Sequence, residues 1–120
     1  MPDRTVTLPT SDYGPVTLPE PSWCIGHEDQ APGQRADILH TGPERTATFR
    51  GHQLAAAGLV QSPYALLPSG RLIGVSVQHT GLGLTLAPGG VDQLAAVLVE
   101  HAVQLRALAR QLTVLRQVGQ

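Results

Sequence analysis

Leu72-Ile73-Gly74-Val75-Ser76-Val77-Gln78-His79 sets Ile73, Val75, Val77 and His79 against Leu72, Gly74, Ser76 and Gln78. A period of two with its apolar members on one side belongs to a β-strand that covers a core. Beyond Pro88 the period changes. Val91, Leu94, Leu98, His101, Leu105, Leu108, Leu112 and Leu115 step by three and four alternately, the spacing of one helix face. Strand and helix patterns in separate stretches predict an α+β fold: an antiparallel sheet of three to five strands, a proline-rich N-terminal segment, and one long C-terminal helix.

Other strands read outward from this pair of signals. Gly81-Leu82-Gly83-Leu84-Thr85-Leu86 follows Thr80 directly and predicts a tight antiparallel return. Upstream, Leu54-Ala55-Ala56-Ala57 favours helix and Gly58-Leu59-Val60-Gln61 favours strand; the second half is read as strand. Ile38 to His40, the turn residues Thr41-Gly42-Pro43-Glu44, and Arg45 to Arg50 read as a hairpin or a bend between strands. The N-terminus repeats a phrase, Thr5-Val6-Thr7-Leu8-Pro9 and Pro15-Val16-Thr17-Leu18-Pro19, with turn chemistry at Ser11-Asp12-Tyr13-Gly14. Each copy is a short extended segment closed by a residue that cannot donate to a ladder, so this region is expected to be loop-rich and in need of an anchor.

The helix should run from about 91 to 118, with Pro88 in its first turn, Asp92 against the N-terminal dipole and Gly119 at its stop. At 1.5 Å per residue it would span about 42 Å, roughly twice a six-residue strand. Half of it is therefore expected to overhang the sheet and to expose leucines, which predicts a homodimer through antiparallel helices, against docking on the chain's own N-terminal arm or a helix simply laid on its own sheet. The interface residues would be Leu98, His101, Leu105, Leu108, Leu112 and Leu115, beside a row of small residues at Ala95, Ala102 and Ala109. His101 would be a pH-sensitive contact across the dimer axis or a partly exposed residue at the mouth of the seam.

Composition bounds the function. The chain has 120 residues, 42% hydrophobic and 14% charged, enough for one folded domain: 1–44 proline-rich, 45–87 strands, 88–118 helix. No apolar run approaches a membrane span, no signal core follows the N-terminus, and the lone cysteine can make no internal disulfide, so a cytoplasmic location is expected. All eight basic residues are Arg, with neither Lys nor Asn present, a bias of GC-rich genomes. One Trp, one Phe and two Tyr, with a net charge of -1, disfavour direct nucleic-acid binding. A dimer pairing Arg106, Arg110 and Arg116 with their copies is the remaining route to DNA.

Chemistry concentrates in Pro21-Ser22-Trp23-Cys24-Ile25-Gly26-His27 and in Asp37-Ile38-Leu39-His40. Two residues between Cys24 and His27 let a tight turn present both to one ion, and His40 supplies a third ligand. Zinc takes thiolate and imidazole readily and closes structural sites with four ligands, for which Glu20 is the preferred fourth ahead of Asp37, Glu28, Asp29 and His52. A structural Zn2+ would staple a segment that has little core of its own. Two catalytic readings compete: Cys24 as nucleophile with His27 or His40 as base and Asp37 as orienter, and an open three-ligand zinc activating water with Glu28 as base. The bland alternative is a buried thiol among scattered histidines.

The stretch from Asp12 to His27, with Arg35-Ala36-Asp37-Ile38-Leu39-His40-Thr41-Gly42-Pro43, resembles a family of small actinomycete proteins of unknown function. Its marks are a Pro-x-Trp-Cys-x-x-His segment, a downstream His-x-Gly-Pro, a few strands, and a terminal helix of the Leu-Ala-Ala-x-Leu kind, here Leu94 to Leu98. The resemblance implies a second cysteine four residues before Cys24, a place held here by Glu20, and attaches no activity. The leading functional expectation is a noncatalytic zinc-binding adaptor or regulatory module that contacts an unidentified protein. A small zinc- or cysteine-dependent enzyme and a dimeric DNA-associated regulator are the alternatives.

Overall fold

A computed structural model describes residues 4–28, 30–81 and 83–118. It is α+β, with a two-stranded hairpin, a four-stranded antiparallel sheet and one long helix. The N-terminal repeat forms the hairpin: β1 (Arg4–Thr10) pairs with β2 (Gly14–Glu20), Val6 opposite Leu18 and Leu8 opposite Val16. Gly14, at φ +63°, closes the three-residue turn in the left-handed region that glycine enters without strain. The region expected to be loop-rich is thus regular. Alternation turns Val6, Leu8, Val16, Leu18 and Glu20 inward, while Thr7 and Thr17 share a hydroxyl hydrogen bond of 2.7 Å on the exposed face.

The main sheet is built on β5 (His52–Gln61), flanked by β6 (Gly74–His79) on one edge and by β3 (His40–Thr41) and β4 (Arg45–Phe49) on the other. The whole stretch around the three alanines is strand, because Ala55, Ala56 and Ala57 are buried where the neighbouring chains crowd β5. Helix propensity yields there to the ladder on both sides. Arg50 (φ 50°) and Gly51 (φ 81°) make the two-residue turn of the β4–β5 hairpin, both in the left-handed conformation that matches strand twist. Strands β3 and β4 do not pair with each other; each pairs with β5, and Gly42 and Pro43 bridge them over Gly58, whose Cβ would lie 3.2 Å from the Pro43 carbonyl. The return expected at 81–86 is not a strand: residue 82 lies outside the described residues, and its neighbours make no ladder.

Helix α1 (Pro88–Gln117) starts with Pro88 in its first turn, while Gly119 lies outside the described residues. Its leucine row does not overhang. Leu108 is buried with Ala57, Leu59 and Ile73, and Leu105, Leu112, Leu115 and Trp23 pack around them. The side chains of Arg50 and Gln93, Arg45 and Gln104, and Arg116 with the Ile73 carbonyl tie the helix to the sheet at both ends and in the middle. The platform is longer than expected, since β5 has ten residues, about 33 Å of strand. Leu105, Leu108, Leu112 and Leu115 therefore serve the chain's own core, and Leu98 alone of that row's leucines stays half-exposed. His101 is buried at 6% exposure, at neither a rim nor an open surface. No helix among the described residues is long and apolar enough to cross a membrane.

Candidate metal centre

The two halves of the fold meet at one cluster. Strand β2 ends on its inward side with Glu20, the chain turns through Pro21 to His27, and β3 begins with His40. Backbone bonds fix the turn: Cys24 N–H donates to the Pro21 carbonyl at 3.0 Å and Ile25 N–H to the Thr41 carbonyl at 2.9 Å. From β1, the Arg4 guanidinium donates to the carbonyls of Pro21 and Cys24. Gly26 adopts φ +105° and sends its N–H to Cys24 Sγ at 3.5 Å. A Cβ on Gly26 would meet nothing within 4 Å, so the backbone conformation alone calls for glycine.

Glu20, Cys24, His27 and His40 each offer one donor atom, and these atoms all lie within 4.8 Å of one another. Cys24 Sγ is 3.7 Å from His27 Nε2, and Glu20 Oε1 is 2.9 Å from His27 Nε2 and 2.8 Å from His40 Nδ1. Glu20, Cys24 and His40 are buried. The group can hold a metal ion. Asp37, Glu28 and His52 are exposed and stand outside it, and Asp29 lies outside the described residues.

Two short contacts to Glu20 depend on where the imidazole protons sit. His27 Nδ1 pairs with Gln30 Oε1 at 3.1 Å, and Gln30 Nε2 donates to the Leu39 carbonyl at 3.0 Å, which commits the amide orientation. With Nδ1–H donated to Gln30, neutral His27 turns the Nε2 lone pair toward a carboxylate oxygen. His40 Nδ1, for its part, is buried 2.8 Å from Glu20 Oε1 yet is not aligned to bond to it.

Burial pulls the His40 imidazole below its ordinary value, against the opposing charge of Glu20. Burial also raises the Cys24 thiol, with Glu20 adding to the rise against the N–H groups of Gly26 and Thr41. For Glu20, burial pushes upward, but hydrogen bonds to His27 and Cys24 and the charges of the two imidazoles together bring the carboxyl below its ordinary value.

Residues 5–114 match the family model described as a domain of unknown function, DUF6907. The chain belongs to this family. No curated protein and no solved structure matches the DUF6907 chain. Reading the sequence missed Gln30, whose three-residue spacing from His27 was the available signal, and Arg4, for which only the hairpin register provides one.

Proposed function

We propose that this DUF6907 chain is a noncatalytic module whose hairpin is stapled to its sheet by a structural zinc ion, and that it acts through contact with another protein. The ligands are Glu20 Oε1, Cys24 Sγ, His27 Nε2 and His40 Nδ1. The observation that carries the reading is convergence of lone pairs: Nε2 of His27, with its other nitrogen committed to Gln30, faces Glu20 Oε1 at 2.9 Å. Such an approach needs a cation between the atoms or a proton on the ring or the carboxyl, and a bound metal ion is the reading that also accounts for the adjacent thiol and second imidazole. Tetrahedral zinc with these donors would set neighbouring ligand atoms roughly 3.3–3.8 Å apart; the 3.7 Å between Cys24 and His27 lies in that range, and the Glu20 carboxylate, at 2.9 and 2.8 Å from the two imidazoles, would draw back on binding. A thiolate, a carboxylate, two neutral imidazoles and a divalent ion sum to zero charge, which suits a buried centre.

With all four residues bound, the donor set would match that of a structural site, in which protein ligands take every position that substrate or water would need. Without a metal, burial holds the Cys24 thiol above its ordinary value, the reverse of an activated cysteine nucleophile. Both points favour the module over the enzyme. Metal analysis of tag-free protein should find about one zinc per chain, with less than about 0.2 in Cys24→Ser. Equal and negligible zinc in both proteins would end the metal reading. For the partner, pull-down from the native host should recover a protein that Cys24→Ser loses or holds weakly; recovering nothing specific with either would remove the adaptor role.

A further inference from the structure

We propose that Arg35 and Arg71 form a pocket for an oxyanion, a carboxylate or phosphate group, carried on an apolar body. The proposal does not depend on the metal reading. Both tyrosines of the chain converge on Arg35, whose guanidinium carbon lies 4.0 Å from the Tyr13 ring centre and 5.1 Å from that of Tyr64. Tyr13 comes from the hairpin tip and Tyr64 from the segment after β5, so the fold brings them together from distant stretches. Aromatic contacts occupy guanidinium faces and leave its N–H edge as the polar route outward.

That edge is unspent. Among the described residues the Arg35 guanidinium has no hydrogen-bond partner and no carboxylate within salt-bridge distance; Asp12 accepts from the Arg35 backbone N–H at 2.9 Å instead. The adjoining cavity is lined by Arg35, Pro63, Tyr64, Ala65, Leu66 and Arg71, two cations and no acid. Arg71 donates from Nε to the Ala65 carbonyl at 2.8 Å and from Nη2 to that of Leu66 at 3.4 Å, and its Nη1 has no partner among the described residues.

The cavity wall is organised in advance. Ser62 N–H donates to the Gly70 carbonyl, Ala65 N–H to Ser62, Gly70 N–H to Leu67, and Gln61 Nε2 to Arg71. Leu66, at 85% exposure, lines the cavity beside the two charges. A planar guanidinium fork suits a two-oxygen anion, and the adjacent leucine suits an apolar group attached to it. The recognised feature is thus an acidic group next to an apolar one, from a phosphate ester or from a carboxylic acid.

Amide and arginine side-chain NMR of the full chain, titrated at constant ionic strength, tests this with phenyl phosphate in one arm and phenylacetate in the other. Saturable shifts at Arg35, Tyr64, Ala65, Leu66 and Arg71 are expected in at least one arm, and the responding arm identifies the anion. Benzyl alcohol, which has the apolar body without the charge, should leave these signals in place. Arg35→Ala should weaken binding by about tenfold or more, and Arg35→Lys, which keeps the charge without the fork, by several-fold. Zinc content should be the same in wild type and both variants, so failure here is distinguishable from failure of the metal centre. No saturable shift in either arm, or equal affinity in wild type, Arg35→Lys and Arg35→Ala, overturns the proposal.

Discussion

Gln30 does more for the centre than its exposure suggests. It holds neutral His27 in the tautomer that turns the Nε2 lone pair toward Glu20 and Cys24, and ties that loop to the Leu39 carbonyl, next to His40. Gln30→Ala should therefore lower zinc affinity by about 10–100-fold in a chelator competition while leaving the protein folded. Unchanged affinity would mean that packing alone orients His27. Gly26→Ala should destabilise by about 1 kcal/mol or more in denaturant titration, since a side chain is strained at φ +105°. Cys24, His27 and His40 were legible in the sequence because few residue types bind metals and their spacing is short, whereas Glu20 was one of several acids and histidines that could have joined them. Gln30 was not, because a glutamine declares no role until its two amide groups have partners.

Among the elements, the helix was readable and its docking was not. Periodicity names a face, but what covers that face depends on the length and extent of the sheet. Leu108 should now be the sensitive position: Leu108→Ala should cost about 2–5 kcal/mol in chemical unfolding, from lost burial and a cavity between Leu59 and Ile73. Leu98→Ala, at a half-exposed site of the same row, should cost about 1 kcal/mol or less. Equal losses at the two sites would contradict the packing described for α1. Strand β5 was half legible, because Leu54 to Ala57 carry helix propensity and only neighbours on both edges override it. At 81–86 the leucine–glycine alternation mimics a strand, but among the described residues there Gly81 and residues 83–86 join no ladder.

At the scale of the molecule, the centre is where the hairpin, the Cys24 turn and β3 are joined, so removing the metal should loosen the hairpin before the sheet. Hydrogen exchange after chelation should accelerate at Val6, Leu8, Val16 and Leu18 while β5 amides keep their protection. The metal-free protein should also lose stability toward acid. His40 has a folded value below its ordinary 6.5, so the unfolded chain binds the extra proton first, and stability falls as pH drops below about 6.5. Glu20, also lowered, adds a further loss as pH falls from its ordinary 4.5 through its folded value. Cys24 acts at the other end: its raised thiol keeps a proton that the unfolded chain releases above about 9, so stability falls there too. Thermal unfolding of chelated protein should thus be most resistant between these limits; a midpoint that rose on acidification from pH 6.5 to 5 would contradict the burial of His40. By itself the sequence determined the α+β class, the amphipathic helix and the chemistry available around Cys24, because periodicity and ligand type are local properties. Only the tertiary structure decided that Glu20 completes the group, that the leucine row faces inward, and that both tyrosines gather on Arg35. Each of these depends on which distant segments the β-ladders bring side by side.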